Sequence, residues 1–319
     1  MSFSTEVKNE LARVLSENTC CQVAELTALM RMGGTVRIGG NRNLGVNFVT
    51  ENAAVARKAL SLLKQGFKLR TELVVTRGRR LKKQNSYQLK VMPAPVVTEL
   101  LAVLGIMQGD NINPGRDTAI LRRACCRRAY LRGAFLGGGS VNRPAGEYHL
   151  ELVTGNSEFA GTLLRMMKYF KLPARITDRK NDNIIYIKDG EAVSAFLNII
   201  GAHNALMEFE NVRIMKEMRN QVNRLVNCET ANLQKTVNAA VRQVERIKLI
   251  ERRKGLNHLP RSLRLAAEAR LAYPEATLQE LAVIMGDGIG RSGINHRLRR
   301  LEHIARELEE EEDNNEPNK

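Results

Sequence analysis

Apolar residues follow two rhythms along the chain. Up to about residue 206, short alternating runs of the strand type sit between longer runs with helical spacing. Beyond that point the helical spacing continues almost alone. In the first region a helical run ends at Gly33-Gly34, and the pattern predicts strands over 35–39 and 44–50. Asn52 reads as the N-cap of a helix reaching about residue 65. Strands over about 68–76 and 86–92 and a helix over 95–106 complete the series. The same order then returns. A helix runs to Gly138, followed by strands over 140–143 and 148–154 and a helix from an Asn156 cap to about 170. Strands over 174–179 and 183–188 and a helix over 190–200 close it.

The two series align as an internal duplication. Cys20-Cys21 and Cys125-Cys126 lie 105 residues apart, and "CCQVAELTALMRMGGTV" overlays "CCRRAYLRGAFLGGGSV" without a gap. "VNFVTEN" meets "LELVTGN", "GFKL" meets "YFKL" and "VLGI" meets "IIGA", with slowly drifting offsets. The expected class is therefore α+β, a duplicated α-β-β-α-β-β-α unit with copies at about 20–106 and 125–202. Each four-stranded antiparallel sheet would bury one face under helices and leave the other open. Candidates for a polar, basic open face are Arg37, Arg42, Asn47, Arg70, Arg77, Arg143, His149, Arg175, Arg179 and Lys188. A hairpin over 77–84 adds further cations.

Charge narrows the partner class. The 319 residues carry 50 Lys and Arg against 34 Asp and Glu, a formal net charge of +16, which points to a polyanion such as nucleic acid. No apolar run reaches the roughly 20 residues of a membrane span, and the acid-bearing amphipathic N-terminus does not read as a signal peptide. Five cysteines, four of them in adjacent pairs, do not form a secreted disulfide framework, so the expected home is the cytoplasm, at the nucleoid. The four paired cysteines read either as zinc ligands or as small buried thiols. Neighbouring helical residues point about 100° apart and no CxxC is present, which favours thiols and no metal or cofactor.

"YLRGAFLGGGSV" first raises the question of a phosphate cradle. A P-loop sets its glycines after a strand and before a helix; here the order is reversed and no Gly-Lys-Ser/Thr ends the run. A helix C-cap, with glycine in the left-handed region, is the simpler reading. Together "LRGAFLGGGS" and "LTALMRMGGT" resemble the two name motifs of the LAGLIDADG homing-endonuclease fold. The resemblance implies that the motif helices pack side by side on a pseudo-twofold axis, with Ala28 and Gly133 allowing close approach. It also implies a metal-binding acid at the eighth motif letter, where this chain has Gly33 and Gly138. Arg31 and Leu136, at the sixth letter, supply no substitute. Asp110 or Asp117 could serve only as a distant acid. With no carboxylate for a divalent cation, the fold is read as kept and the nuclease chemistry as lost, with no catalytic residue.

Past residue 206 the chain turns helical, basic and asparagine-rich, with Thr230 a candidate cap within the stretch. Arg219, Asn220, Asn223, Arg224 and Lys235 read equally well as contacts to the DNA backbone or the first domain and as the solvated face of a linker helix. After Pro260 comes a three-helix pattern: a helix over 261–273, a capping box "TLQE" from Thr277, a "GDGIGR" turn, and a basic helix capped by Ser292. With Ile294, Leu298 and Leu301 inward, the opposite face presents Ser292, Asn295, His296, Arg299 and His303, flanked by Arg297 and Arg300. This is a helix-turn-helix pattern. Asn295, His296 and Arg299 are the expected base readers. Arg291, Arg297 and Arg300 are the expected phosphate contacts, with Ser292, Thr277 and Gln279 as further DNA contacts.

The whole chain resembles the WhiA-type sporulation transcription regulators, most specifically in "RNQVNRLVNCETANLQKTVNAAVRQVE", "RAYLRGAFLGGGSV" and "SGINHRLRRL". The resemblance implies a degenerate LAGLIDADG domain, expected over 1–206, and an all-α helix-turn-helix domain, expected over 257–308. A helical linker over 207–256 and an acidic disordered tail over 309–319 complete the expected organisation. The implied role is a sequence-specific DNA-binding regulator of cell division, chromosome segregation and sporulation. Its partner is double-stranded DNA, with another transcription factor or RNA polymerase as a second candidate. The alternatives are an active metal-dependent endonuclease and a non-specific architectural protein.

Overall fold

Two helices, one of which brings glycines to the point where they meet, organise the first part of the chain. The structure is a computed structural model that describes residues 2–40, 43–67, 69–77, 85–109, 111–115, 119–286 and 288–313. It divides into two compact units, Met1–Glu217 and Met218–Lys319. In the first, a short helix α1 (Phe3–Leu11) precedes the duplicated elements. Copy one is α2 (Thr19–Gly33), β1 (Gly34–Ile38), β2 (Leu44–Thr50), α3 (Ala53–Phe67), β3 (Thr71–Thr76), β4 (Ser86–Val91) and α4 (Pro95–Val103). A small hairpin, β5 (Met107–Gln108) and β6 (Asn111–Ile112), follows. Copy two is α5 (Ala124–Gly138), β7 (Gly139–Val141), β8 (Leu150–Thr154), α6 (Ser157–Tyr169), β9 (Arg175–Arg179), β10 (Asp182–Ile187) and α7 (Gly190–Ile200). Both sheets are antiparallel, with orders β1-β2-β4-β3 and β7-β8-β10-β9. The duplication is therefore structural as well as sequential.

Helices α2 and α5 cross in the core. A Cβ added at Gly133 would lie 2.1 Å from the Glu25 carbonyl oxygen and 3.2 Å from Ala28 Cβ, and one at Gly137 would lie 2.4 Å from Met32 Cβ. Small residues thus set the separation of the pair. Beside this contact the Glu25 carboxylate is fully buried, 2.8 Å from Arg132 Nη2 and 3.1 Å from Lys58 Nζ. Arg132 also donates to Ser16 Oγ at 2.9 Å, and Lys58 donates to the Val14 carbonyl. Burial pushes the Lys58 ammonium below its ordinary pKa, and the Glu25 charge opposes that shift.

Several expectations change here. The glycines that end α2 and α5 are not left-handed caps: Gly34 (φ −93°) and Gly139 (φ −88°) are extended. They are needed for space, because a Cβ at Gly34 would sit 2.5 Å from the Met30 carbonyl oxygen and one at Gly139 2.4 Å from the Phe135 ring. Both asparagine caps form: Asn52 Oδ1 accepts from the Ala54 and Val55 amides at 2.8 and 3.1 Å, and Asn156 Oδ1 from Phe159 at 3.0 Å. Helix α4 stops at Val103 because Gly105 turns left-handed (φ 64°), which releases the chain into β5. Arg31 then donates to the Gly105 and Asn113 carbonyls at 2.9 and 3.0 Å. Strands β7 and β8 are shorter than expected because Asn142–Gly146 turns through Pro144, which has no amide to donate. Nor are the paired cysteines uniformly buried thiols: Cys21 and Cys126 are buried, Cys20 is half-buried and Cys125 is exposed. The pairs lie in the first turns of two helices that pack together, so only one cysteine of each pair is fully covered.

Helix α8 (His203–Lys254) begins within the first unit, where the Glu10 carboxylate accepts from the Asn204 and Ala205 amides at 2.8 and 3.0 Å. Phe209 packs against Phe3 and Tyr148 there. The helix passes through Thr230 without a break, so Thr230 caps nothing. In the second unit Ile247 and Ile250 of α8 join a core built by α9 (Arg261–Ala272), α10 (Leu278–Met285) and α11 (Arg291–Asp313). Residues 309–313 of the expected disordered tail continue α11. Leu308 is buried beneath that turn, while Glu309 pairs with Arg246 and Glu311 with Lys254 at 3.5 Å. Residues 314–319 lie outside the described residues.

Three stability outcomes are expected. Glu25→Ala leaves two buried cations without their carboxylate and should cost about 3–5 kcal/mol, read as a lowered denaturant midpoint. Gly133→Ala should cost about 1–3 kcal/mol or more by overpacking. Gly66→Ala, where a Cβ meets open space, should gain about 0.4–1 kcal/mol in the same titration.

Candidate nucleic-acid interface

The helix-turn-helix unit is set by one buried cation and one cap. Arg270, 2% exposed, donates from Nη1 to the Ala276 carbonyl at 2.6 Å and the Pro274 carbonyl at 3.4 Å. It thereby fixes the turn between α9 and α10, and burial pushes its guanidinium below its ordinary pKa. The expected capping box forms: the Thr277 hydroxyl accepts from the Glu280 amide at 3.3 Å, and Glu280 Oε2 accepts from the Thr277 amide at 2.7 Å. Those amide and hydroxyl contacts hold the Glu280 carboxyl below its ordinary pKa. Left-handed Gly286 and Gly288 then turn the chain towards α11.

Helix α11 starts two residues earlier than expected. The Gly290 carbonyl accepts from the Gly293 and Ile294 amides at 3.0 and 3.2 Å, which places Ser292 inside the first turn and not at the cap. The apolar facing is as the wheel predicts, with Ile294, Leu298, Leu301 and Ala305 buried, but Asn295, expected on the opposite face, is half-buried. Arg291, Ser292, His296, Arg299 and Arg300 are exposed, and Arg297 is half-buried on a flank. Among the described residues, no side chain bonds to Arg291, His296, Arg299 or Arg300 (salt bridges included). Gln279 is exposed near the start of α10, next to the capped Thr277. His303 is engaged with Glu307, 3.0 Å away. A guanidinium held off the core can take guanine O6 and N7, and an amide can take adenine N6 and N7.

The open sheet faces are less uniformly basic. In the first sheet the register sets Thr35 and Arg37 beside Asn47, Gln88 and Lys90 on one side. Arg37, Arg70 and Arg77 are exposed. Asn47 is buried, because β2 is an interior strand flanked by the longer side chains of its neighbours. Lys90 is an addition to the sequence candidates; the alternation in "SYQLKV", which puts it on the same side as Gln88, is the signal that marks it. In the second sheet Arg143, Arg175, Arg179 and Lys188 are exposed. His149 is held 3.2 Å from Glu151 and stacked on Tyr186. Arg42, Asp110, Asp117 and residues 78–84 lie outside the described residues.

The eighth-letter positions offer no metal ligand. A Cβ at Gly33 would meet the Phe48 ring at 2.9 Å and the Val49 carbonyl oxygen at 3.2 Å. At Gly138 the corresponding contacts are the Val153 carbonyl oxygen at 2.8 Å and Met32 Sδ at 3.0 Å. The two copies close the site in the same way, each with the carbonyl of an equivalent strand valine. Neither residue fits the divalent ion of the nuclease fold.

Fold and site together define a class: a duplicated LAGLIDADG-like domain lacking its motif acids, carried in one chain with a helix-turn-helix domain. The comparisons assign the particular family. The WhiA N-terminal LAGLIDADG-like domain matches residues 19–107, the WhiA LAGLIDADG-like domain 127–219 and the WhiA C-terminal HTH domain 222–305. The probable cell division protein WhiA of Desulforamulus reducens is 51% identical over 310 residues, covering 97% of this chain and 96% of that protein. Its counterpart in Heliobacterium modesticaldum is 50% identical over 308 residues, covering 96% of each. The chain belongs to the WhiA family. The crystal structure of full-length WhiA from Thermatoga maritima aligns with a TM-score of 0.60 at 26% identity, covering 96% of this chain and 99% of that one.

Because the space beside Gly138 is closed, Gly138→Asp should lower the unfolding midpoint, and added magnesium should not restore it. Magnesium-dependent stabilisation of that variant would show that the position still accepts a metal.

Proposed function

We propose that this chain is a non-enzymatic, sequence-specific DNA-binding regulator acting in cell division. By family resemblance the role extends to chromosome segregation and sporulation. The observation that carries the reading is the facing of α11. It buries Ile294, Leu298 and Leu301 and holds Arg291, His296, Arg299 and Arg300 outward without an intramolecular partner among the described residues. A charge of +16 supplies the attraction to phosphates that any DNA contact draws on. The printed names of the relatives, probable cell division proteins, support the biological setting.

In this reading α11 enters the major groove with its N-terminal half. Arg299, His296 and Asn295 meet base edges. Arg291, Arg297 and Arg300 meet phosphates and fix the register. Thr277 and Gln279 lie beside the first amides of α10, where a phosphate oxygen would be received. Arg37, Lys90, Arg175 and Arg179 add backbone contacts from the sheets. Another transcription factor or RNA polymerase remains a second partner class for the same chain. Without carboxylates at Gly33 and Gly138, bound DNA is left uncut.

Arg299→Ala should relax preference at one base position and weaken binding of a selected site by about 1–3 kcal/mol, measured by competition against scrambled duplex. Unchanged affinity and preference would remove α11 as the reading helix. Magnesium-dependent cutting would favour the endonuclease, and binding without preference the architectural protein.

A further inference from the structure

Each copy of the duplication opens its central helix with a Cys-Cys pair, and the fold brings the two pairs together. The sulfurs of Cys20, Cys21, Cys125 and Cys126 all lie within 4.8 Å of one another. Cys125 Sγ and Cys126 Sγ are 4.0 Å apart. All four are free thiols, and across the helix pair Cys20 neighbours Cys126 and Cys21 neighbours Cys125, the swap that a pseudo-twofold axis requires. Zn–S bonds of about 2.3 Å in a tetrahedron put the sulfurs about 3.8 Å apart, so the cluster needs a contraction of about 1 Å at most. One helix could not collect four adjacent cysteines; two crossing helices, each bringing two, can.

Positive charge gathers at the sulfurs, while burial and the neighbouring thiols push Cys21 and Cys126 up as long as no cation shares the site. The cysteines are the second and third residues of α2 and α5, where helix amides have no intrahelical acceptor. Neither Asn18 nor Arg123 caps its helix with a side chain, and neither first turn holds an acid. Arg123 reaches Cys20. Uncapped amides, two helix N-termini and a guanidinium all stabilise negative charge at one point. Among the described residues, these four form the one group of three or more metal-ligating side chains that converge.

We propose that Cys20, Cys21, Cys125 and Cys126 form a structural four-thiolate site for one zinc ion that ties together the first turns of α2 and α5. On binding, four thiols release four protons to solvent, and four thiolates with one Zn²⁺ leave a net charge of −2. The site is closed, with no open coordination position, so its role is to hold the helix pair and not to catalyse. It lies at the end of the helices opposite Gly33 and Gly138 and is independent of the DNA-binding reading.

The test is metal analysis of the full chain purified with a non-chelating reductant. One zinc per chain is expected. The zinc should be released in step with modification of four thiols by a mercurial, and replacement by Co²⁺ should give thiolate-to-cobalt charge-transfer absorption. Cys125→Ser, at the exposed position, should lose the zinc, whereas Cys228→Ser should keep it. Chelation should lower the thermal midpoint of the wild-type chain and leave that of Cys125→Ser unmoved. The mercurial and cobalt measurements use the wild-type chain, so they hold even where a variant fails to fold. A metal-free chain with four freely reacting thiols would overturn the proposal. So would iron in place of zinc, zinc that persists in a Cys20→Ser/Cys125→Ser double variant, or a mass deficit of four hydrogens from two cross-helix disulfides.

Discussion

The crossing of α2 and α5 is the constraint on which the first unit depends. At its closest point a glycine, Gly133, lies against the Glu25 carbonyl, and no side chain fits between. That approach fixes where each helix delivers its ends. At the C-terminal ends the chain passes directly into β1 and β7, with Gly33 and Gly138 pressed against the next strands. At the N-terminal ends the same approach gathers four sulfurs within 4.8 Å. Beside the contact the buried carboxylate of Glu25 on α2 holds Arg132 of α5 and Lys58 of α3. Removing one member of such a set exposes the others to an unpaired burial that costs more than the pair contributes.

The closure around Gly33 and Gly138 bears on function. A duplicated sheet domain with acids at those points would have metal ligands aimed at a bound backbone. Here the space is taken by Phe48, Met32 and the carbonyls of Val49 and Val153. The basic sheet residues that remain are suited to contact phosphates without reading sequence. In the proposed function, sequence reading falls to the second unit, where Arg270 pins the turn and the Thr277–Glu280 capping box starts α10. Behind them, the buried stripe of α11 turns its cations outward.

Much of this is legible in the residues. The repeat reveals the succession of helices and strands because each copy corroborates the other, and the capping asparagines behave as local chemistry demands. The wheel of α11 is legible because Ile294, Leu298, Leu301 and Ala305 recur at helical spacing. What escapes is set by contacts distant in sequence. The start of α8 rests on Glu10, and the chain beyond α4, once Gly105 has turned it, is held by Arg31. Asn47 reads as open because alternation gives a side but not its cover. The cysteine pairs read as unfit for metal when a single helix is considered, while their convergence needs two. Gly34 and Gly139 read as left-handed caps because sequence shows the absent side chain and not the reason for its absence.

The central claim is that a fold built for metal-dependent cutting here accompanies DNA recognition by α11. The most direct measurement is to incubate the full chain with genomic fragments in magnesium, then sequence both the retained fragments and any new ends. The account predicts a recurring sequence among retained fragments and no new ends above a protein-free control. New ends clustered at a preferred sequence, or retention without any recurring sequence, would contradict it.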